Sequence, residues 1–240
     1  MSEYFLLQKE GRVATLTFNR PEKRNSLNEE ALLEFESLLQ QVRDDREVRV
    51  LIVTGSGNTF SAGVDMSQVK GIADEAERQR IYTPIGRRRA RLIGRAVDVL
   101  VNLEQVTIAA VNGYTIGGGW TFALGCDFRV AVAGAEFWFP EVGLGVSLSP
   151  ACTALIVAHV GASVAKDIII SGRHFKAEEL LPLGLVNRVV KKEALMPAAH
   201  EWAQDLANKN PTAVMMTKAI VNAMVMRQAV IQPDLLLPRE

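Results

Sequence analysis

Three consecutive glycines, Gly117, Gly118 and Gly119, stand between two apolar segments in "VTIAAVNGYTIGGGWTFALGCDF" and set the tightest limit on the fold. "VTIAAVNG" is rich in β-branched and small apolar residues, which predicts a buried strand. The apolar segment after the glycines has helical character, so the glycines fill a strand-to-helix turn. Glycine at such a junction permits φ > 0 and lets another molecule approach the backbone closely. The N–H groups at a helix start also form a seat for negative charge. A tight turn packed against a sheet needs the same glycines, so the feature alone leaves both readings open.

Strands and helices alternate around this junction. "RVATLTFNRP" (12–21) alternates as a half-buried strand does and ends in a turn. A helix is expected from Asn28, a side-chain cap with Glu29 and Glu30 behind it, and Leu32, Phe35, Leu39 and Val42 share one face. "VRVLIVTG" (48–55) reads as a second strand and "SGNTFSAGVD" as a loop. A polar helical region over 66–94 and an amphipathic helix through Leu103 come next. "FRVAVAG" and "AEFWFPE" are extended, and the chain after Pro150 is predominantly helical. "VIQPDLLLPRE" holds two prolines that should not continue the preceding helix. The pattern is α/β with layered sheets. Apolar residues, 48% of 240, supply a substantial core, enough for one large domain or one domain plus a small appendage, and no linker or repeat marks a division.

Several function classes are excluded. Lys plus Arg equal Asp plus Glu at 27 each, so no net field draws in nucleic acid or a membrane surface. No run looks long and apolar enough to span a bilayer, and the N-terminus lacks a signal peptide's basic start and apolar stretch, so a cytoplasmic protein is expected. Cys126 and Cys152 read as reduced core residues, and His159, His174 and His200 form no metal pattern, so no metal site is expected. Neither GxxxxGK[ST], GxGxxG nor GxSxG is present. What remains is chemistry by backbone groups and carboxylates. "TFSAGVD" (59–65) and "TIGGGW" (115–120) both follow strands. If they converge, one N–H from each could hold an oxygen on which charge develops, and small residues such as Ala62 and Gly118 leave the carbonyl room.

"NRPEKRNSLN", "FSAGVDM", "AAVNGYTIGGG", "CDFRVA", "AEFWFPEVGLG" and "GLVNRVV", in this order and spacing, resemble the enoyl-CoA hydratase/isomerase (crotonase) family. The resemblance runs over about 5–220. It implies an α/β crotonase-like spiral of repeated ββα units. The core would span 1–190, and a C-terminal helical region over 191–240, shortened relative to the family, would serve trimer contacts. It implies an acyl-CoA thioester as substrate, with coenzyme A part of that substrate and no permanently bound cofactor, in a homotrimer or hexamer. The Ala62 and Gly118 N–H groups match the oxyanion-hole donors. Asp65 matches a structural position. Lys23 and Arg24 match a region that contacts CoA phosphates, and Phe60 and Ala62 lie where family backbones meet the adenine. The basic run Gly86 to Arg95 could join the phosphate contacts or form a solvated helix face.

By the same resemblance, two carboxylates decide the reaction. Hydratases carry a glutamate two residues beyond the triple glycine and a second in a "PE" step after the next strand. Here the first position is Thr121 and the second is Glu141. One carboxylate suffices to move a single proton, the pattern of isomerases that shift a 3,4 double bond to 2,3. Burial beside Trp138 and Phe139 should raise the Glu141 pKa. "VSLSPACTAL" (146–155) stands where hydratases have a glycine-rich turn, and Glu104-Gln105 where a proline usually precedes the central strand. The expected activity is therefore a 3-enoyl-CoA to 2-enoyl-CoA isomerase. A hydratase or dehydratase, a thioester decarboxylase and a non-catalytic acyl-CoA binding protein are the alternatives.

Overall fold

The computed structural model describes residues 3–67, 72 and 74–228, without the side chains of 75, 76, 78, 79, 81–85 and 225–228. The expected stop at the prolines of 230–240 lies outside the described residues, as does part of the 66–94 region. Phe5–Glu10 (β1) runs antiparallel to Val13–Phe18 (β2), pairing Phe5 with Phe18. The alternation in β2 was legible. β1 was not, because five of its six residues are exposed and it has no apolar period. Glu29–Asp44 (α1) follows, and Asn28 caps it, its Oδ1 accepting from the Ala31 N–H at 2.9 Å. Its inner face carries Phe35 into a ring cluster with Phe5, Phe18 and Phe122 at centroid distances of 4.8–5.5 Å.

The chain then repeats one move. Val50–Gly55 (β3) and Thr59–Ser61 (β4) precede the helix Glu75–Val101 (α2). Val106–Val111 (β5) and Tyr114–Ile116 (β6) precede Gly118–Gly125 (α3). Phe128–Val132 (β7) and Glu136–Trp138 (β8) precede Pro150–Ser171 (α4). The first strand of each pair joins one sheet and the second joins another. After Phe175–Lys176 (β9), Ala177–Leu180 (α5) and Arg188–Val190 (β10), the larger sheet has the order β1-β2-β3-β5-β7-β10, parallel from β2 onward. The smaller has the order β4-β6-β8-β9, parallel except for β9. This staircase of ββα steps is the crotonase spiral. Leu195–Ala207 (α6) packs against β2, β3, β5 and β7, and Pro211–Gln228 (α7) closes the described chain. β5 lies fully inside, with all six residues buried, so its sequence is apolar without alternation.

Three expectations need correction. The stretch read as a loop contains β4. The two helical segments read before Leu103 are one helix, α2. And α4, 22 residues long, is apolar and long enough by length and composition to cross a bilayer. Gly161, at φ 74° and ψ 169°, breaks it into two shorter pieces.

Candidate active site

The site begins at a turn that only an amide side chain could hold. Arg24 and Asn25 are both left-handed, at φ 52° and 54°. Buried Asn25 compensates by closing a network: Oδ1 accepts from the Arg20 N–H at 2.9 Å, and Nδ2 donates to the Ser56 and Thr59 carbonyls at 3.0 and 2.7 Å. The turn thereby presses against β4. Ser61 Oγ donates to the Asn25 carbonyl at 2.8 Å and accepts from the Gly63 N–H at 3.1 Å.

These bonds decide which N–H groups remain. The Ala62 N–H donates to the Arg24 carbonyl at 2.9 Å, and the Asp65 N–H to the Leu27 carbonyl at 2.9 Å. With Gly63 also engaged, Val64 carries the one N–H of 62–65 that meets no acceptor among the described residues. The expected donor, Ala62, is therefore already spent. Residue size does not reveal this; the hydrogen-bond pattern does.

The two loops do converge. A Cβ on Gly63, itself at φ 74°, would lie 2.8 Å from the Gly118 nitrogen. One on Gly118 would stand 3.6 Å from Gly63 Cα, 3.8 Å from Val64 Cγ2 and 3.4 Å from Ile93 Cδ1. Gly118 is the first residue of α3, whose opening N–H groups have no partner within the helix. The positive end of the α3 dipole thus faces the Val64 loop.

Glu141 sits over the same turn. Its backbone is fixed by the N–H groups of Leu144 and Val146, both donating to its carbonyl at 3.0 Å. Gly117, at φ 50°, donates its N–H to the Trp138 carbonyl at 3.0 Å. A Cβ on Gly117 would come within 2.6 Å of Glu141 Oε1. So the first glycine makes room for the carboxyl, a role beyond turn geometry. Glu141 Oε2 is buried with no hydrogen-bond partner among the described residues. Burial pushes the Glu141 pKa from 4.5 up to about 7.

The sequence profile described as enoyl-CoA hydratase/isomerase matches residues 8–235. The chain belongs to that family. A short-chain-enoyl-CoA hydratase of Clostridium acetobutylicum is 38% identical over 218 residues, covering 90% of this chain and 80% of that protein. The crystal structure of an enoyl-CoA hydratase from Bacillus anthracis superposes with a TM-score of 0.83 at 28% identity, covering 94% of this chain and 89% of that one. A monofunctional enoyl CoA isomerase from M. smegmatis superposes with a TM-score of 0.77 at 29% identity over the whole of both chains.

In this family member, Thr121 is buried and its hydroxyl donates to the Gly117 carbonyl at 3.3 Å. It also meets the buried Cys152 thiol, whose pKa burial pushes up, with the Glu141 charge adding to the rise. Thr121 thus contacts Cys152, and Glu141 is near enough for its charge to act on that thiol. Cys152 was read only as core, and no sequence signal ties it to Thr121.

Around the site, Lys23 and Arg24 are exposed on the turn that carries the Arg24 carbonyl. Phe60 is wholly buried, its ring 5.3 Å from that of Phe18, so the residue offers a ligand no exposed surface, contrary to the expected adenine contact. Much of the arginine run is structural. Arg88 pairs with Glu29 at 2.7 Å, Arg95 pairs with Glu36 at 2.8 Å, and Arg89 donates to the Asp65 carbonyl at 2.6 Å. Asp65 also accepts from the Ser67 N–H at 2.9 Å, which fits a structural part. Among the described residues no group of His, Cys, Asp and Glu could hold a metal ion.

Proposed function

We propose that the protein is an acyl-CoA enzyme that shifts a 3-enoyl-CoA double bond to the 2 position, with Glu141 as its acid/base. The observation carrying this reading is the pairing of a buried carboxyl at the second family position, Glu141, pKa about 7, with a hydroxyl instead of a carboxylate at the first, Thr121. A threonine hydroxyl can orient water but does not ionise near neutral pH, so it is no substitute for a carboxylate base. The thioester oxygen would lie between the Gly118 and Val64 N–H groups, Val64 replacing Ala62 as the second donor. Glu141 takes a proton from C2, electron density moves onto the thioester oxygen, and the same carboxyl returns the proton at C4. One proton is moved and none is consumed. A pKa near 7 suits a group that must both accept and donate. Coenzyme A enters as part of the substrate, with Lys23, Arg24 and the Ala62 backbone as its proposed contacts, and no further cofactor is needed.

The similarity to the Clostridium hydratase favours a second reading, hydration of 2-enoyl-CoA with water held at Thr121. Purified protein assayed with both thioesters at saturation separates the two. Isomerisation of 3-enoyl-CoA should exceed hydration of 2-enoyl-CoA. Thr121→Glu should raise hydration detectably, since general acid–base assistance is worth about 10²–10⁴-fold. Efficient hydration by the unmodified protein without isomerisation would replace the first reading by the second.

A further inference from the structure

The opposite end of α3 holds a buried cation that the proposed chemistry does not use. The Arg129 side chain is 2% exposed. Nη1 donates to the Cys126 carbonyl at 2.7 Å and the Ala123 carbonyl at 3.4 Å, and Nε donates to the Leu185 carbonyl at 2.8 Å. Nη2 lies 3.4 Å from His159 Nε2, while His159 Nδ1 lies 2.8 Å from the Leu155 carbonyl. Nδ1 therefore carries the imidazole proton and Nε2 accepts. Burial and the guanidinium charge both hold the His159 pKa low, at about 4, so the ring stays neutral. Among the described residues no carboxylate pairs with Arg129. The adjacent Asp127 is taken by Lys218 at 2.8 Å and by the Thr107 N–H at 2.8 Å. A full charge is thus kept inside the protein on neutral partners, an expensive arrangement for structure alone.

We propose that Arg129 is a positioning residue of the oxyanion hole, fixing the carboxyl end of α3 and lending its charge to the anion formed at the amino end. The inference rests on the Gly118 half of that hole. All eight residues of α3 are buried, so the helix has no water around it to screen its ends. The carbonyl end of a helix carries partial negative charge, which would oppose an anion at the other end. Arg129 covers that end and reverses its sign. Eight residues span about 12 Å, and across that distance at an effective dielectric near 20 one charge is worth about tenfold in rate. Its effect reaches the substrate only through α3.

The test binds butyryl-CoA, labelled with ¹³C at the thioester carbonyl, and reads the carbonyl stretch by isotope-edited infrared spectroscopy. Binding to the unmodified protein should lower the frequency. Arg129→Met removes the charge. His159→Glu keeps the guanidinium and its carbonyl bonds but neutralises it with a carboxylate. Both should lose part of the shift and about tenfold in kcat on the enoyl-CoA that the protein converts, with KM within about threefold. Arg129→Lys, which keeps the charge, should retain most of the shift. If Arg129→Met does not fold, as judged by circular dichroism, His159→Glu decides. A folded, charge-neutralised variant with the full shift and full kcat overturns the assignment. Absence of any shift in the unmodified protein overturns the hole itself.

Discussion

Glu141 is the residue where sequence, burial and chemistry meet most directly. Its folded-state pKa of about 7 lies above its ordinary 4.5, so the folded protein holds the proton more tightly than the unfolded chain. Stability therefore falls as pH rises from 4.5 to 7 and is level above that. The full difference is on the order of 3 kcal/mol. Glu141→Gln should gain that much relative to the unmodified protein between pH 5 and pH 8, measured by denaturant unfolding at both. The same variant should lose turnover and keep acyl-CoA affinity, because shape survives and the base does not. An unchanged kcat would remove Glu141 from the mechanism. Gly117→Ala complements it. The new Cβ meets the end of a flexible side chain, so the carboxyl moves aside and the fold bears mainly the strain of φ 50°. Turnover should fall about 10²-fold, as expected for a misplaced catalytic group, with a stability loss of about 1–3 kcal/mol from a backbone conformation, φ 50° and ψ −118°, that favours glycine. At this scale motif spacing pointed to Glu141 and Gly118, which the fold brings to one turn. It did not single out Val64, the donor proposed here, because a free N–H is defined by where its neighbours' bonds go, and three of those run to a turn about forty residues away or to a local serine.

Among the elements, legibility followed burial pattern. α1 and β2 show clear periods because each has one wet and one dry face. β1 and β4 do not, the first nearly all exposed and the second three residues long and wholly buried. α4 is a different case: its composition reads as one continuous apolar helix, and the break is set by one glycine. Gly161 adopts φ 74° and ψ 169°, a region that essentially only glycine occupies, with nothing within 4 Å of a Cβ placed there. Gly161→Ala should therefore cost about 1–3 kcal/mol through backbone strain alone. Thermal unfolding checks it. A loss well below that range would mean that α4 can straighten. Since the first half of α4 carries Cys152 and His159, straightening should also disturb the contacts of Thr121 and Arg129, and kcat should fall with stability.

For the whole molecule, charge balance and periodicity indicate an α/β protein and nothing more specific. The two-sheet spiral became legible only through motif order, because strands of three residues carry too little pattern to show that alternate strands belong to different sheets. One further property belongs to this scale. Met216, Ile220 and Met224 repeat every fourth residue along α7 and are 55%, 53% and 66% exposed. Lys218, between them, turns the other way, donating to the Gln105 carbonyl and pairing with Asp127, both at 2.8 Å. α7 is thus anchored by a polar residue and leaves an apolar row outward, the reverse of a helix that folds only onto its own core. A trimer or hexamer of the kind the family resemblance implies would bury that row against another copy. Removing three such side chains from water is worth several kcal/mol per copy, at roughly 1.5–3 kcal/mol for each fully buried one. Sedimentation equilibrium of the unmodified chain should give a multiple of 26.3 kDa. Ile220→Asp should shift the mass towards a single chain, with the circular dichroism spectrum unchanged, because the substituted side chain faces away from the fold. A monomer at micromolar concentration before substitution would leave the row without the expected partner.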